Sequence, residues 1–163
     1  MKIALLTSSR ADYGIYLPLL KKLKKDNFFD VQLIVFGTHL SEKFGNTVNE
    51  IIADGFIPKA RIETLPDGTS PKAISNAMGN TIKKFSDFWE KEKSNIDLIL
   101  CLGDRYEMFA AVSASVPFNI PVAHIHGGET TTGAIDNSFR HSITSMSKIH
   151  FASTHTHLSL IHI

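Results

Sequence analysis

Six short apolar runs restrict the fold of this chain more than any other feature. They are "KIALLTS" (Lys2–Ser8), "VQLIVFG" (Val31–Gly37), "ARIETLP" (Ala60–Pro66), "IDLILCLG" (Ile96–Gly103), "PVAHIHG" (Pro121–Gly127) and "KIHFAS" (Lys148–Ser153). Several are apolar at consecutive rather than alternate positions, which marks strands covered on both faces. Segments with helical signals separate them. One begins near Tyr13, where Pro18 is tolerable only in a first turn. The next runs over Ser41–Gly55, with Ser41 as cap and Gly55 as stop. After a loop at Asp67–Pro71, Ile74, Met78, Ile82, Phe85 and Trp89 recur at helical spacing, a stripe that belongs in a core. "RYEMFAAVSASV", closed by Pro117, and "IDNSFRHSITSMS" complete the set. Strand and helix thus alternate throughout, which predicts a doubly wound α/β domain around a parallel sheet. The 163 residues suit one such domain, and a 43% hydrophobic content is enough to fill its core.

Several function classes are excluded early. A formal charge of +1 carries no footprint for nucleic acid or an anionic membrane. "KKLKK" (Lys21–Lys25) reads as a solvated helix face. No apolar run reaches the roughly 18 residues a membrane span needs, and the apolar start after Lys2 is too short for a signal peptide. A cytoplasmic protein is expected. The single cysteine, Cys101, lies inside an apolar run and is expected to be a buried structural thiol.

In an open parallel sheet, ligands bind beyond the carboxyl ends of the strands. Three polar clusters fall there: "SSRADYG" after the first strand, "GDRYE" after the fourth and "HGGETTTGAID" after the fifth. In the first, Arg10 at a helix start suits a phosphate, unless Asp12 caps the helix and Arg10 is only solvated. No G-x-G-x-x-G follows the first strand and no P-loop occurs anywhere, so dinucleotide and P-loop readings lose their usual support. In the second, Asp104 is either an N-cap or a base kept ionised by the neighbouring Arg105. In the third, His124 and His126 sit two apart on a strand and should point to one face. A third metal ligand would have to be Glu129 or Asp136. No cysteine cluster or H-E-x-x-H supports a metal, and none is expected. Gly127 and Gly128 allow a sharp turn close to a ligand. Glu129, Asp136, Arg140 and His141 are placed to line a pocket, although Asp136 also suits a cap and His141 a core position. Carboxylates and histidines together are the groups that take and return protons.

With these loops in place, "SSRADYG", "GDRYEMFAA", "HIHGGETTTGAIDNSFRH" and "ITSMSKIHFAST" give the chain its resemblance to the hydrolysing UDP-N-acetylglucosamine 2-epimerases of sialic- and legionaminic-acid pathways. The likeness runs from Met1 to about Thr154. It implies a Rossmann-like N-terminal domain of a glycosyltransferase-B-type two-domain enzyme, a homo-oligomer when whole, with its site between the domains. It implies UDP-N-acetylglucosamine as substrate, elimination of UDP to a glycal, hydration to N-acetylmannosamine, and no cofactor. By position, Arg10 and Ala11 resemble nucleotide contacts and Arg105 a substrate-binding arginine, with His124, Arg140 and His141 grouped beside them. Asp104 and Asp136 resemble catalytic carboxylates, with Glu129 near them. Many members have a glutamate where this chain has His126, and the loop before "GAID" is one residue longer here. Those departures leave open a related substrate, UDP-2,4-diacetamido-2,4,6-trideoxyglucose. A non-hydrolysing 2-epimerase and a non-catalytic nucleotide-sugar module are the other readings.

The end of the chain fits the pattern poorly. A helix should follow the sixth strand, yet "HTHLSLIHI" lacks an evident cap, length or polar face. Leu158 to Ile163 coincide with an in-frame translation of a common sequencing adapter. The expectation is a native domain over 1–157, a non-native tail over 158–163 and an absent C-terminal domain.

Overall fold

The computed structural model describes residues 1–66, 68–131 and 135–161. Strands β1 (Lys2–Thr7), β2 (Asp30–Phe36), β3 (Ala60–Ile62), β4 (Leu98–Leu102), β5 (Val122–Ile125) and β6 (Ile149–Phe151) form one sheet in the order β3-β2-β1-β4-β5-β6. All of these pairings are parallel. Helices α1 (Arg10–Leu23), α2 (Val48–Ala53), α3 (Pro71–Glu92), α4 (Tyr106–Ser113), α5 (Asp136–Met146) and α6 (His155–Ile161) accompany the strands. Successive strand residues feed opposite cores. Ala4, Leu6, Ile34, Phe36, Ile99 and Cys101 pack with Phe85, Trp89, Met108 and Ile143. Ile3, Leu5, Leu33, Val35, Leu98 and Leu100 pack with Tyr13, Tyr16, Leu20 and Ile51. Two buried faces require both residues of each strand pair to be apolar, which explains the unbroken runs.

Cys101 is fully buried and its thiol donates to the Ala123 carbonyl at 3.5 Å. Burial pushes that thiol well up, so it serves packing. Among the described residues, no helix is long and apolar enough to cross a membrane.

Local chemistry changes several expectations. α1 runs on through Pro18 instead of starting near it. The hydrogen bond lost is the one to the Gly14 carbonyl, and both residues lie on the exposed side, where water can serve that group. The helix expected over Ser41–Gly55 shrinks to α2. Two short 3-10 turns precede it, and Gly45 and Asn46 at φ +82° and +47° interrupt the chain between the second turn and α2. Gly55, at φ +82°, does end it. Along α3 the fully inward line is Ala77, Thr81, Phe85 and Trp89, a four-residue spacing that leaves Ile82 on the outside. The tail also differs: α6 follows β6, and Thr154 supplies the cap, its Oγ1 accepting the His157 N–H at 3.2 Å.

The order of strands reverses beside β1, between β2 and β4. The turns after β1, β4 and β5 therefore share one rim at the crevice such sheets use for ligands.

Candidate active site

The turn after β1 is held by its own side chains. Asp12 accepts hydrogen bonds from the N–H groups of Ser8 and Ser9, both at 3.0 Å, and from the Ser8 hydroxyl at 2.8 Å. Ser9 caps α1 in return, accepting the Asp12 N–H at 3.4 Å. Ser9, not Asp12, is thus the cap, and Asp12 is its partner at the third helical position, closing a capping box. Arg10 is exposed and pairs with Glu50 at 3.0 Å, and Ala11 beside it is exposed too. Gly37, at φ +60°, passes so close that a Cβ there would lie 2.6 Å from the Ser8 carbonyl oxygen. Behind this turn His39 is fully buried between the Thr7 and Thr47 hydroxyls, at 2.9 and 2.8 Å. Burial pushes its pKa down to about 4. Sequence reasoning missed His39, because a lone histidine after a strand carries no periodic signal.

The turn after β4 opens at Gly103, φ +81°. Arg105, not Asp104, occupies the N-cap position of α4, and its side chain makes no capping bond. Its guanidinium instead grips one Glu107 oxygen at 2.7 and 2.9 Å. Glu107 is only 1% exposed, and burial raises its pKa in spite of Arg105. The cation bound to Asp104 is therefore Arg140, reaching across from α5, rather than its sequence neighbour. Arg105 and Tyr106 also line a cavity with Lys43, Phe44, Leu65 and Ile74.

The turn after β5 holds the densest chemistry. His124 is fully buried; its Nε2 lies 2.7 Å from the Gly103 carbonyl and its Nδ1 3.2 Å from Thr144 Oγ1. A carbonyl only accepts, so Nε2 carries the proton and Nδ1 accepts from the threonine. Burial pushes this ring down to about 4, which keeps it neutral. Gly127 packs onto it: a Cβ there would lie 2.9 Å from His124 Nδ1 and 3.0 Å from Thr144 Oγ1.

β5 ends at Ile125, and His126 adopts φ +63°. The two histidines consequently do not share a face as expected; His126 turns to Glu129, Nδ1 to Oε1, at 2.6 Å. The other Glu129 oxygen lies 3.4 Å from Arg140 Nη1. Burial works to raise the Glu129 pKa, but hydrogen bonds from Ser153 and His126 and the charge of Arg140 bring it below the usual value. Arg140, 7% exposed, thus joins Asp104 and Glu129. Asp136 is half-buried in the first turn of α5, one turn before Arg140, and Ile135 rather than Asp136 is the N-cap residue. His141 is exposed. The Gly133 and Ala134 of "GAID" lie outside the described residues. Among the described residues, no group of three or more His, Cys, Asp or Glu could hold a metal ion.

The structure therefore links Asp104, Arg140, Glu129 and His126 in one chain of polar contacts, supports it from below with His124, and leaves Arg10, Ala11 and His141 at the surface. A Rossmann-like sheet with a carboxylate–imidazole cluster on its ligand rim is the class these features define. The UDP-N-acetylglucosamine 2-epimerase family model matches residues 21–161, and the chain belongs to that family. It is 40% identical over 153 residues to a UDP-N,N'-diacetylbacillosamine 2-epimerase (hydrolyzing) of Legionella pneumophila, covering 94% of this chain and 40% of the relative. It is 39% identical to the polysialic acid biosynthesis protein P7 of Escherichia coli, over 94% of this chain and 39% of that protein. A GDP/UDP-N,N'-diacetylbacillosamine 2-epimerase (hydrolyzing) of Campylobacter jejuni is 38% identical over 93% and 39%. The chain thus spans about 40% of the length of these curated relatives. The crystal structure of a Neisseria meningitidis UDP-GlcNAc 2-epimerase bound to UDP-GlcNAc shares the fold, with a TM-score of 0.83 at 21% identity over 99% of this chain and 42% of that one.

Proposed function

We propose that this chain forms one wall of the active site of a hydrolysing UDP-sugar 2-epimerase, with residues 1–157 as the N-terminal domain and a second domain closing the cleft. The observation that carries this reading is the Asp104–Arg140–Glu129–His126 cluster at the rim, with Asp136 beside it on α5. The reaction needs groups that can hold and release protons near C2 of the sugar. A base takes the C2 proton, the C–H electron pair forms the C1=C2 bond, and the C1–O bond breaks to release UDP. Water then adds across the glycal, its oxygen to C1, while C2 is protonated on the opposite face. Asp104, Asp136 and His126 are assigned to proton transfer. Arg10, Ala11 and Arg105 are assigned to the nucleotide sugar, along the same rim. His141, exposed on α5, is the remaining candidate contact. The chemistry requires no redox cofactor.

Two sugars fit the reading. UDP-N-acetylglucosamine follows from the family. UDP-2,4-diacetamido-2,4,6-trideoxyglucose is favoured by two of the relatives above, which are named for UDP-N,N'-diacetylbacillosamine. The test uses the protein encoded by the genomic reading frame, read past codon 157 from an adapter-free amplicon. Each sugar nucleotide is supplied in deuterium oxide. The expected result is UDP release and a free 2-epimeric sugar with one deuterium at C2. Asp104→Asn and Asp136→Asn should each lower turnover by about a hundredfold or more with the fold intact. A UDP-linked epimer as product would make the enzyme non-hydrolysing. Binding without UDP release or deuterium exchange would make it a nucleotide-sugar module.

A further inference from the structure

The polar contacts around His126 go further than a list of acid–base groups. The side chain is partly exposed on the rim, and its backbone is held at φ +63°, in the left-handed region that non-glycine residues adopt uncommonly. The next two residues are glycines. Gly127 is pressed against His124 and Thr144, so the chain cannot relax downwards, and the imidazole is turned towards Glu129. Glu129 in turn is fastened at both oxygens, one by His126 and the other by Arg140.

We infer that Glu129 is a positioning residue: fastened to Arg140, it accepts the Nδ1 proton of His126 and so presents the Nε2 lone pair of that ring to the C2 proton of the sugar. The inference rests on the epimerase reading for the identity of the proton and on geometry alone for the tautomer. An ionised carboxylate can only accept, so at 2.6 Å the proton between the two groups belongs to Nδ1. A neutral imidazole so held has one free lone pair, on Nε2. In the elimination, Nε2 gains the C2 proton, the C2–H electrons become the C1=C2 bond, and UDP leaves with the C1–O electrons. The imidazolium that forms lies against the Glu129 carboxylate, whose charge stabilises it. Arg140 has a second consequence. The same guanidinium binds Asp104, so one buried side chain sets the spacing between His126 and the carboxylate across the rim. Arg140 is then a brace within the site rather than a contact to substrate.

His124 supplies an internal control. Its geometry demands the opposite tautomer, with the proton on Nε2 and the lone pair on Nδ1. The deciding measurement is the ring-nitrogen NMR spectrum of the 15N-labelled 163-residue chain at neutral pH. Expected is the Nδ1–H form for neutral His126 and the Nε2–H form for His124. Glu129→Gln should move His126 towards the Nε2–H form while leaving His124 unchanged. An Nε2–H form of His126 in the unaltered chain, or no response to Glu129→Gln, would overturn the inference whatever the enzyme does. The kinetic arm uses the full reading frame. Glu129→Gln should lower kcat by tenfold or more with KM nearly unchanged, and Glu129→Asp should restore part of it. Turnover by His126→Gly should rise with added imidazole, which a purely structural histidine would not allow. Absence of imidazole rescue alongside the expected tautomer would remove His126 from proton transfer. Absence of any turnover in the unaltered enzyme, with the expected tautomer, would instead refute the epimerase reading and leave the tautomer assignment standing.

Discussion

Replacing Arg140 with methionine keeps most of the apolar stem of the side chain and removes its charged end. The Arg140 side chain is 9% exposed, while those of Asp104 and Glu129 retain 21% and 23%. Breaking a fully buried ion pair costs about 3–5 kcal/mol, and losing an exposed one costs about 0–1 kcal/mol. The two carboxylates keep about a fifth of their surface in water, so Arg140→Met should destabilise the chain by about 2 kcal/mol, between those limits. For 163 residues that is a drop in Tm of about 4–8 °C. Urea unfolding at neutral pH should show a lower midpoint with an unchanged slope. Adding Asp104→Asn and Glu129→Gln to Arg140→Met should recover more than half of the loss, because no charge is then left without its partner. The pH dependence has a definite sign. The folded pKa of Glu129 is lowered, so its stabilisation is present above the ordinary glutamate value and fades as pH falls through the lower folded value. Arg140→Met removes one cause of that lowering, so the gap between variant and parent should narrow below about pH 4. A loss under about 0.5 kcal/mol, the level of an ordinary surface substitution, or a gap that widens in acid, would refute the role given to Arg140.

Three further outcomes follow from positions described above. Gly127→Ala forces a methyl against His124 and Thr144 and should cost about 1–3 kcal/mol in urea unfolding, while a neutral effect would mean the two side chains can part freely. His39 and His124, both held near pKa 4 against an ordinary 6.5, stabilise the fold above pH 6.5; that stability should drain away as the pH falls towards 4, and a midpoint flat across this window would contradict their buried, neutral state. Cys101 should resist thiol reagents until the chain unfolds, and modification of the native protein at the rate of a free thiol would show that β4 opens.

How much was legible in the sequence depended on whether the signal was local. The parallel sheet was readable because a strand buried on both faces has an apolar requirement at every position, and β4 shows it without a gap. The rim was readable because topology assigns it to strand ends. Helix limits were less so. Pro18 looked like a start signal, yet exposure on the far side of α1 made its missing hydrogen bond tolerable. Ser41 looked like a cap, yet Gly45 and Asn46 broke the segment first. The partners of the site residues were the least accessible. Asp104 touches Arg140, 36 positions away, instead of the adjacent Arg105, because the α4 start turns Arg105 towards Glu107. His124 and His126 obey strand alternation only if the strand continues, and a positive φ at His126 ends it.

The turns of the rim are tied sideways to one another. The Ser8 carbonyl receives both the N–H and the hydroxyl of Thr38, the Gly103 carbonyl receives His124, and the His126 N–H reaches the Phe151 carbonyl at 3.0 Å. Three neighbouring pairs of strand ends, β1–β2, β4–β5 and β5–β6, are thereby moored to each other through backbone groups, before any ligand arrives. Such an edge is preorganised: a bound molecule need not spend its interaction energy on stilling these turns, and that energy remains for binding and for the transition state. The same lashing predicts where damage travels. A substitution at one turn should be felt in the neighbouring turn along the rim sooner than in the hydrophobic layers beneath, so losses of chemistry and losses of stability should sort onto different residues.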